Sequence, residues 1–314
     1  MKAFWVSLWF SALMTPSILI GLRALKSKQT VSEFAPSTHQ VKQGTPTMGG
    51  LIVIVGMLMG LCWSIPREGG LSASISISAL LLIIGFAIIG FVDDFVVPRL
   101  IKGKRGLGWR QKILMQTFAA AVGVLPLGLG LGGVVWAVFL ILFLANAYNF
   151  ADGLDGLAAW IGLAYCAGLY ALGAPFHPIA LSVAGGLITF LFLNAHPAKI
   201  FMGDVGSLPI GAAFGLCAVV MTSSIDPARG AMWIGFDFRT LLALIALNLM
   251  MFAELVPVPI QVLSFKLRKK RIFPATPIHH GFEIRGWPET RVVAAFTLAQ
   301  VIASALAVTI LRGW

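Results

Sequence analysis

Residues 71–92, LSASISISALLLIIGFAIIGFV, run without one charged side chain and end on the pair Asp93-Asp94. A helix needs roughly 20 apolar residues to cross the hydrocarbon core of a bilayer, and this stretch supplies them. Similar runs lie near residues 3–22, 47–65, 111–128, 132–148, 156–173, 177–194, 206–223, 238–262 and 290–311. Lipid offers no partner to an unpaired backbone N–H or C=O, so each run is expected to be a helix. The fold class that follows is all-α, a polytopic integral membrane protein with about ten transmembrane helices forming one domain over 1–314. Pro16, Pro257 and Pro259 fall in or near these runs and predict kinks.

Composition agrees. Of 314 residues, 58% are hydrophobic and 11% charged, with a mean hydropathy of +0.91. Soluble domains carry about 25% charged residues, so this chain cannot cover a globule with polar surface. A soluble enzyme is excluded, and the apolar content excludes disorder. Cys62, Cys166 and Cys217 lie apart inside apolar stretches, without CxxC or Cys/His spacing, so neither a disulfide scaffold nor a thiolate metal site is expected. Met1–Pro16 lacks a small-residue cleavage site and reads as a retained first span. No internal repeat is evident, which argues against an inverted-repeat transporter.

The formal net charge is +11. If ten spans alternate, the connections 23–46, 93–110, 149–155, 195–205 and 263–289 share one side and hold most of the 23 Lys and Arg residues. The positive-inside rule puts that side in the cytoplasm, with both termini outside. The basic run Lys266–Arg271 reads as a tether to anionic lipid.

Acids are scarce, 12 in all, and five of them mark the same side: Asp93, Asp94, Asp152, Asp155 and Asp204. One aspartate at a helix start is an ordinary cap, as Asp152 or Asp204 could be. Five at span ends on one face point instead to a site, because ionisable groups at membrane depth are costly. Mg²⁺ takes hard oxygen ligands, usually one or two carboxylates plus substrate phosphates. The glycines of Asp152-Gly153-Leu154-Asp155-Gly156 and Met202-Gly203-Asp204-Val205-Gly206-Ser207 permit close backbone approach and leave N–H groups for anions. These residues predict a membrane enzyme acting with Mg²⁺ on a phosphorylated substrate.

Five segments carry a resemblance. They are Lys42-Gln-Gly-Thr-Pro-Thr-Met-Gly-Gly50, Phe91-Val-Asp-Asp-Phe95 and Asn146-Ala-Tyr-Asn-Phe-Ala-Asp-Gly-Leu-Asp-Gly-Leu-Ala158. Asn194-Ala-His-Pro-Ala-Lys-Ile-Phe-Met-Gly-Asp-Val-Gly-Ser207 and Thr276-Pro-Ile-His-His-Gly-Phe-Glu-Ile-Arg-Gly-Trp-Pro-Glu289 complete the set. In this order the chain resembles the polyprenyl-phosphate N-acetylhexosamine-1-phosphate transferases, and within them the phospho-N-acetylmuramoyl-pentapeptide transferase branch of peptidoglycan synthesis.

The resemblance implies transfer of a phospho-sugar from UDP-N-acetylmuramoyl-pentapeptide to undecaprenyl phosphate, giving lipid I and UMP. It implies Mg²⁺ as cofactor, with Asp204 and Asn149 as its ligands. Asp93 and Asp94 match the paired carboxylates assigned to the lipid phosphate or the metal, and Asp152 and Asp155 fall in the motif serving catalysis and uridine binding. Lys42, Asn149, Asp152, Asn194 and Phe201 match donor-binding positions, with Phe201 placed to stack on uracil, and Lys112 matches a basic residue of the second cytoplasmic loop. His279 and His280 match histidines near the donor phosphates. The implied location is the bacterial inner membrane with the site facing the cytoplasm, among membrane lipid and without nucleic acid; a homodimer is compatible with it.

Two departures stand out. Gly281 occupies the place of a third histidine, and Val97 that of a lysine, for which Arg99 or Lys102 would have to substitute. The alternative within the superfamily is a UDP-N-acetylglucosamine, or other UDP-sugar, polyprenyl-phosphate transferase; the strings at 45–50 and 282–289 favour the pentapeptide branch. From a different class, a transporter would place ionisable groups near mid-span, and here only Glu254 is deep.

Overall fold

The computed structural model describes residues 1–25, 44–66, 70–101, 103–104, 106–225, 232–235 and 237–313. Its elements are α1 (Lys2–Ala24), α2 (Gly50–Ser64), α3 (Leu71–Phe91), a π-helical turn (Val92–Val96), α4 (Val97–Leu100), α5 (Trp109–Gly123) and α6 (Leu131–Ala151). They continue with α7 (Leu157–Leu172), α8 (His177–Asn194), α9 (Asp204–Met221), the strands β1 (Ser223–Ile225) and β2 (Met232–Ile234), and α10 (Phe238–Leu247). The last are α11 (Leu249–Leu255), α12 (Pro257–Arg268), α13 (Ile278–Ile284) and α14 (Glu289–Arg312). Seven helices among the described residues are long and apolar enough to cross a membrane, and Gly50–Ser64, Leu157–Leu172 and Phe238–Leu247 are shorter apolar helices. This is the all-α polytopic architecture expected from the hydropathy.

The helices are arranged around α9. In its apolar window 83% of residues are buried, against 17% for α1 at the periphery. Between lipid-soluble helices there is little hydrophobic drive to associate, so close backbone packing has to supply the attraction. At Gly211 a Cβ would stand 2.5 Å from the Leu144 carbonyl oxygen of α6, so only glycine allows that approach. Trp5, Trp9, Leu13, Phe118 and Phe192 are exposed, as befits side chains that meet hydrocarbon rather than water.

Three expectations need correction. The run 238–262 is not one span but three helical pieces. Asn248 breaks the first junction, its side chain bonded to the Leu244 carbonyl and the Tyr165 hydroxyl. Pro257, which lacks an N–H, starts the third piece after Val256. Asp93 and Asp94 do not lie in a connection; helical backbone carries on through them to Leu100 as a widened turn. His279 and His280 belong to the short helix α13 rather than to an irregular loop. Of the cysteines, Cys166 and Cys217 are buried while Cys62 is exposed.

Candidate active site

Asp93, Asp94 and Asp204 bring one carboxylate oxygen each within 4.8 Å of one another. Asp204 opens α9, and Gly203 before it holds φ at +71°, a left-handed conformation natural to glycine. A Cβ on Gly203 would lie 2.6 Å from Asp94 Oδ2, so the same glycine makes room for the cluster. Backbone N–H groups hold two of the acids: Leu107 donates to Asp93 Oδ1 at 2.6 Å and Val205 to Asp94 Oδ2 at 3.2 Å.

Lys112, from the first turn of α5, sits between them. Its Nζ is 3.2 Å from Asp93 Oδ2 and also donates to Asp204 Oδ2. Asn149, near the end of α6, donates its amide to Asp204 Oδ1 at 2.7 Å and to Ser207 Oγ at 2.8 Å. Asp152 follows at the C-terminal cap of α6, not at a helix start. Burial, then the charges of Asp204 and Asp94, pushes its carboxyl well above the usual carboxylate range. Asp93 and Asp204 thus share one ammonium, with Asp94 beside them. That excess of negative charge, carried on hard oxygens, fits a divalent cation.

Asp155 is brought to a different place. Its buried Oδ2 accepts from Ala198 N–H at 3.0 Å and lies 3.1 Å from His196 Nδ1. Its own N–H donates to Glu289 Oε1 at 2.5 Å, and Glu289 in turn is 3.7 Å from His196. These three side chains form a second group able to hold a cation, at a groove of about 520 Å³ also lined by Trp160, Val293 and Leu298. Asn194 is buried nearby with both ends of its amide engaged, by Gly156 N–H at 3.0 Å and the Ile200 carbonyl at 2.9 Å. Phe201 is half-buried, and its backbone pairs with Pro46 and Gly49.

His279 has no exposure, and its Nδ1 lies 2.9 Å from Glu254 Oε2. His280 pairs with Glu283 at 2.7 Å, and its ring packs tilted against that of His279, centroids 4.1 Å apart. Lys42 and Lys102 lie outside the described residues. Arg99 is turned away, over the Phe95 ring and onto the Leu25 carbonyl, and so does not stand in for the lysine missing at Val97.

Sequence reasoning passed over His196 and gave Glu289 and Ser207 no role. The signal for His196 was its place one residue from Asn194-Ala195 in a matched motif; nothing in the sequence shows its contact with Asp155.

Comparisons with known proteins identify the family. Residues 42–54 match the phospho-N-acetylmuramoyl-pentapeptide-transferase signature 1, and residues 76–222 match glycosyl transferase family 4. A phospho-N-acetylmuramoyl-pentapeptide-transferase of Heliobacterium modesticaldum is 38% identical over 98% of this chain and 96% of its own length. The chain belongs to the phospho-N-acetylmuramoyl-pentapeptide-transferase family. Others of that name agree: that of Moorella thermoacetica is 35% identical over 92% of both chains, and that of Geobacillus kaustophilus 33% over 93% of this chain. The family's signature spans the segment whose Gly49 and Gly50 N–H groups bond to the Phe201 and Met202 carbonyls. The glycosyl transferase match includes Asp93, Asp94, Asp152, Asp155 and Asp204.

Proposed function

We propose that this chain transfers phospho-N-acetylmuramoyl-pentapeptide from its UDP donor to undecaprenyl phosphate. A phosphate oxygen of the lipid forms a bond to the sugar-linked phosphorus of the donor. The bond from that phosphorus to the bridging oxygen breaks, and UMP leaves with the bridge electrons. The products are lipid I and UMP.

The observation that carries this reading is the convergence of Asp93, Asp94 and Asp204 on Lys112, in a chain of this family. Asp204 would hold Mg²⁺ together with Asn149 or the paired aspartates. When bound, the ion neutralises charge developing on the pyrophosphate oxygens. Asp93 and Asp94 are assigned to the lipid phosphate, where one carboxylate can take its proton. Lys112 adds fixed positive charge for the donor pyrophosphate. Lys42, Asp152, Asp155, Asn194 and Phe201 are assigned to holding the donor, Phe201 against uracil and Asn194 by bracing the Gly156 turn. The basic connections support a site facing the cytoplasm from the inner membrane.

The test is UMP release by purified protein with undecaprenyl phosphate, Mg²⁺ and a panel of UDP-sugars. Release with the pentapeptide donor is expected. Preference for UDP-N-acetylglucosamine would move the chain to the other branch of the superfamily.

A further inference from the structure

Glu254 lies on α11, just before the break at Val256–Pro257, and its side chain is fully enclosed. A buried carboxylate persists only with a good partner. The partner is His279, equally enclosed on α13, with Nδ1 2.9 Å from Glu254 Oε2. The opposite ring nitrogen, Nε2, is buried with no hydrogen-bond partner among the described residues, as is Glu254 Oε1. Nε2 presses on the catalytic turn: a Cβ at Gly153 would stand 2.4 Å from it. The residue preceding Gly153 is Asp152, which faces Asp204 and Asp94. Glu254, His279 and the Asp152–Gly153 turn are therefore in series, from the bend of a membrane helix to the carboxylate cluster.

With Glu254 as the acceptor, a neutral imidazole donates from Nδ1 and leaves the Nε2 lone pair directed at the turn. A partner on one ring nitrogen fixes both the tautomer and the ring plane of a histidine, as the outer ligands of metal-bound imidazoles do. We propose that Glu254 is a positioning residue that fixes the tautomer and orientation of His279, so that Nε2 is presented as an acceptor at the Asp152–Gly153 turn. His280, with 27% of its side chain exposed, is then the histidine of the pair that reaches solvent. The kinetic part of this inference rests on the proposed transferase reading; the structural part does not.

The experiment uses full-length protein in detergent, with ¹⁵N-labelled histidine and with UMP release from the pentapeptide donor. The His279 signals, assigned by their loss in His279→Ala, are expected to show Nδ1–H in wild type and to lose that signature in Glu254→Leu. Glu254→Leu should lower kcat about 10- to 100-fold, the range for a lost orienting partner, with donor KM changed less than about threefold. Glu254→Gln keeps an acceptor oxygen for Nδ1–H and should recover most of the loss. The double variant Glu254→Leu/His279→Ala should be no slower than His279→Ala, because both changes remove one device. An Nε2–H tautomer in wild type, full turnover in Glu254→Leu, or additive losses in the double variant would overturn the proposal. Should the leucine variant not fold, Glu254→Gln decides: retained Nδ1–H with turnover near wild type supports the assignment, and a switch to Nε2–H with turnover unchanged refutes it. Wild-type protein that shows the Nδ1–H tautomer, loses it on Glu254→Leu and yet releases no UMP would refute the transferase reading while the positioning stands.

Discussion

Replacing Asp204 by Asn is the sharpest perturbation of the carboxylate cluster, because it changes charge and hardly any volume. The losses in stability are offset. Losing the charge-assisted bond from Lys112 costs about 1.5–3 kcal/mol, and losing a carboxylate in the first turn of α9 costs about 0.3–1 kcal/mol. Against this, Asp204 no longer repels Asp93 and Asp94, whose oxygens lie within 4.8 Å. Each of these two pairs is worth about 3 kcal/mol at an effective dielectric near 20. Asp204→Asn should therefore melt no lower than wild type. Activity has no such offset. An amide oxygen is a weaker ligand for a hard cation, and a metal-dependent step that loses about 4 kcal/mol of stabilisation slows roughly a thousandfold. The assay is steady-state UMP release across a Mg²⁺ titration, beside a melting curve for each protein. Near-normal turnover of the asparagine variant at saturating Mg²⁺ would remove Asp204 from the metal role.

Asp93→Asn and Asp94→Asn should each depress turnover more than they weaken donor binding, since their charge is assigned to the lipid phosphate and metal; a variant with turnover intact and donor affinity lost would refute that. Gly203→Ala forces a side chain into φ +71° and to within 2.6 Å of Asp94 Oδ2. It should cost about 1–3 kcal/mol of stability and raise the Mg²⁺ needed for half-maximal UMP release, and an unchanged Mg²⁺ requirement would show that the cluster does not depend on this glycine. At Gly281 a Cβ meets nothing closer than the Ala275 carbonyl oxygen at 3.8 Å, and the residue is helical. Gly281→His should thus be accommodated and, through one added charge-assisted contact of about 1.5–3 kcal/mol, raise kcat/KM with the pentapeptide donor; a folded variant with lower kcat/KM would assign this position another role.

Much of the architecture was legible because span length is a coarse, strong signal. Residues 71–92 and 206–223 need only be long and apolar to be read as helices, and they are. The reading faltered where local geometry depends on partners. Hydropathy ended the third span at Asp93, yet helical backbone continues because Leu107 N–H and Lys112 satisfy that carboxylate from another segment. It ran 238–262 together because Asn248 hides in an apolar context, and the Tyr165 hydroxyl that holds it lies on α7. The five aspartates were legible as a set, but their division was not. Asp155 differs from Asp152 by three positions and looks equivalent in sequence; its partners His196, Ala198 and Glu289 come from remote segments.

That division makes the five-residue turn Asp152–Gly156 the point where the site is assembled. Asp152 faces Asp204 and Asp94. Gly153 receives the edge of His279. Asp155 is tied through its backbone to Glu289 at the start of α14 and through its side chain to the 196–198 loop, and Gly156 N–H is held by Asn194. A turn bound on every side has little freedom to adjust when one tie is cut, so a displaced Asp152 would follow from changes well outside contact with any substrate. Asn194 illustrates the consequence. Both ends of its amide are already used on Gly156 and Ile200, so an effect of Asn194→Ala on donor binding would arise from a slackened turn and a shifted 200–202 segment, with Phe201 between them.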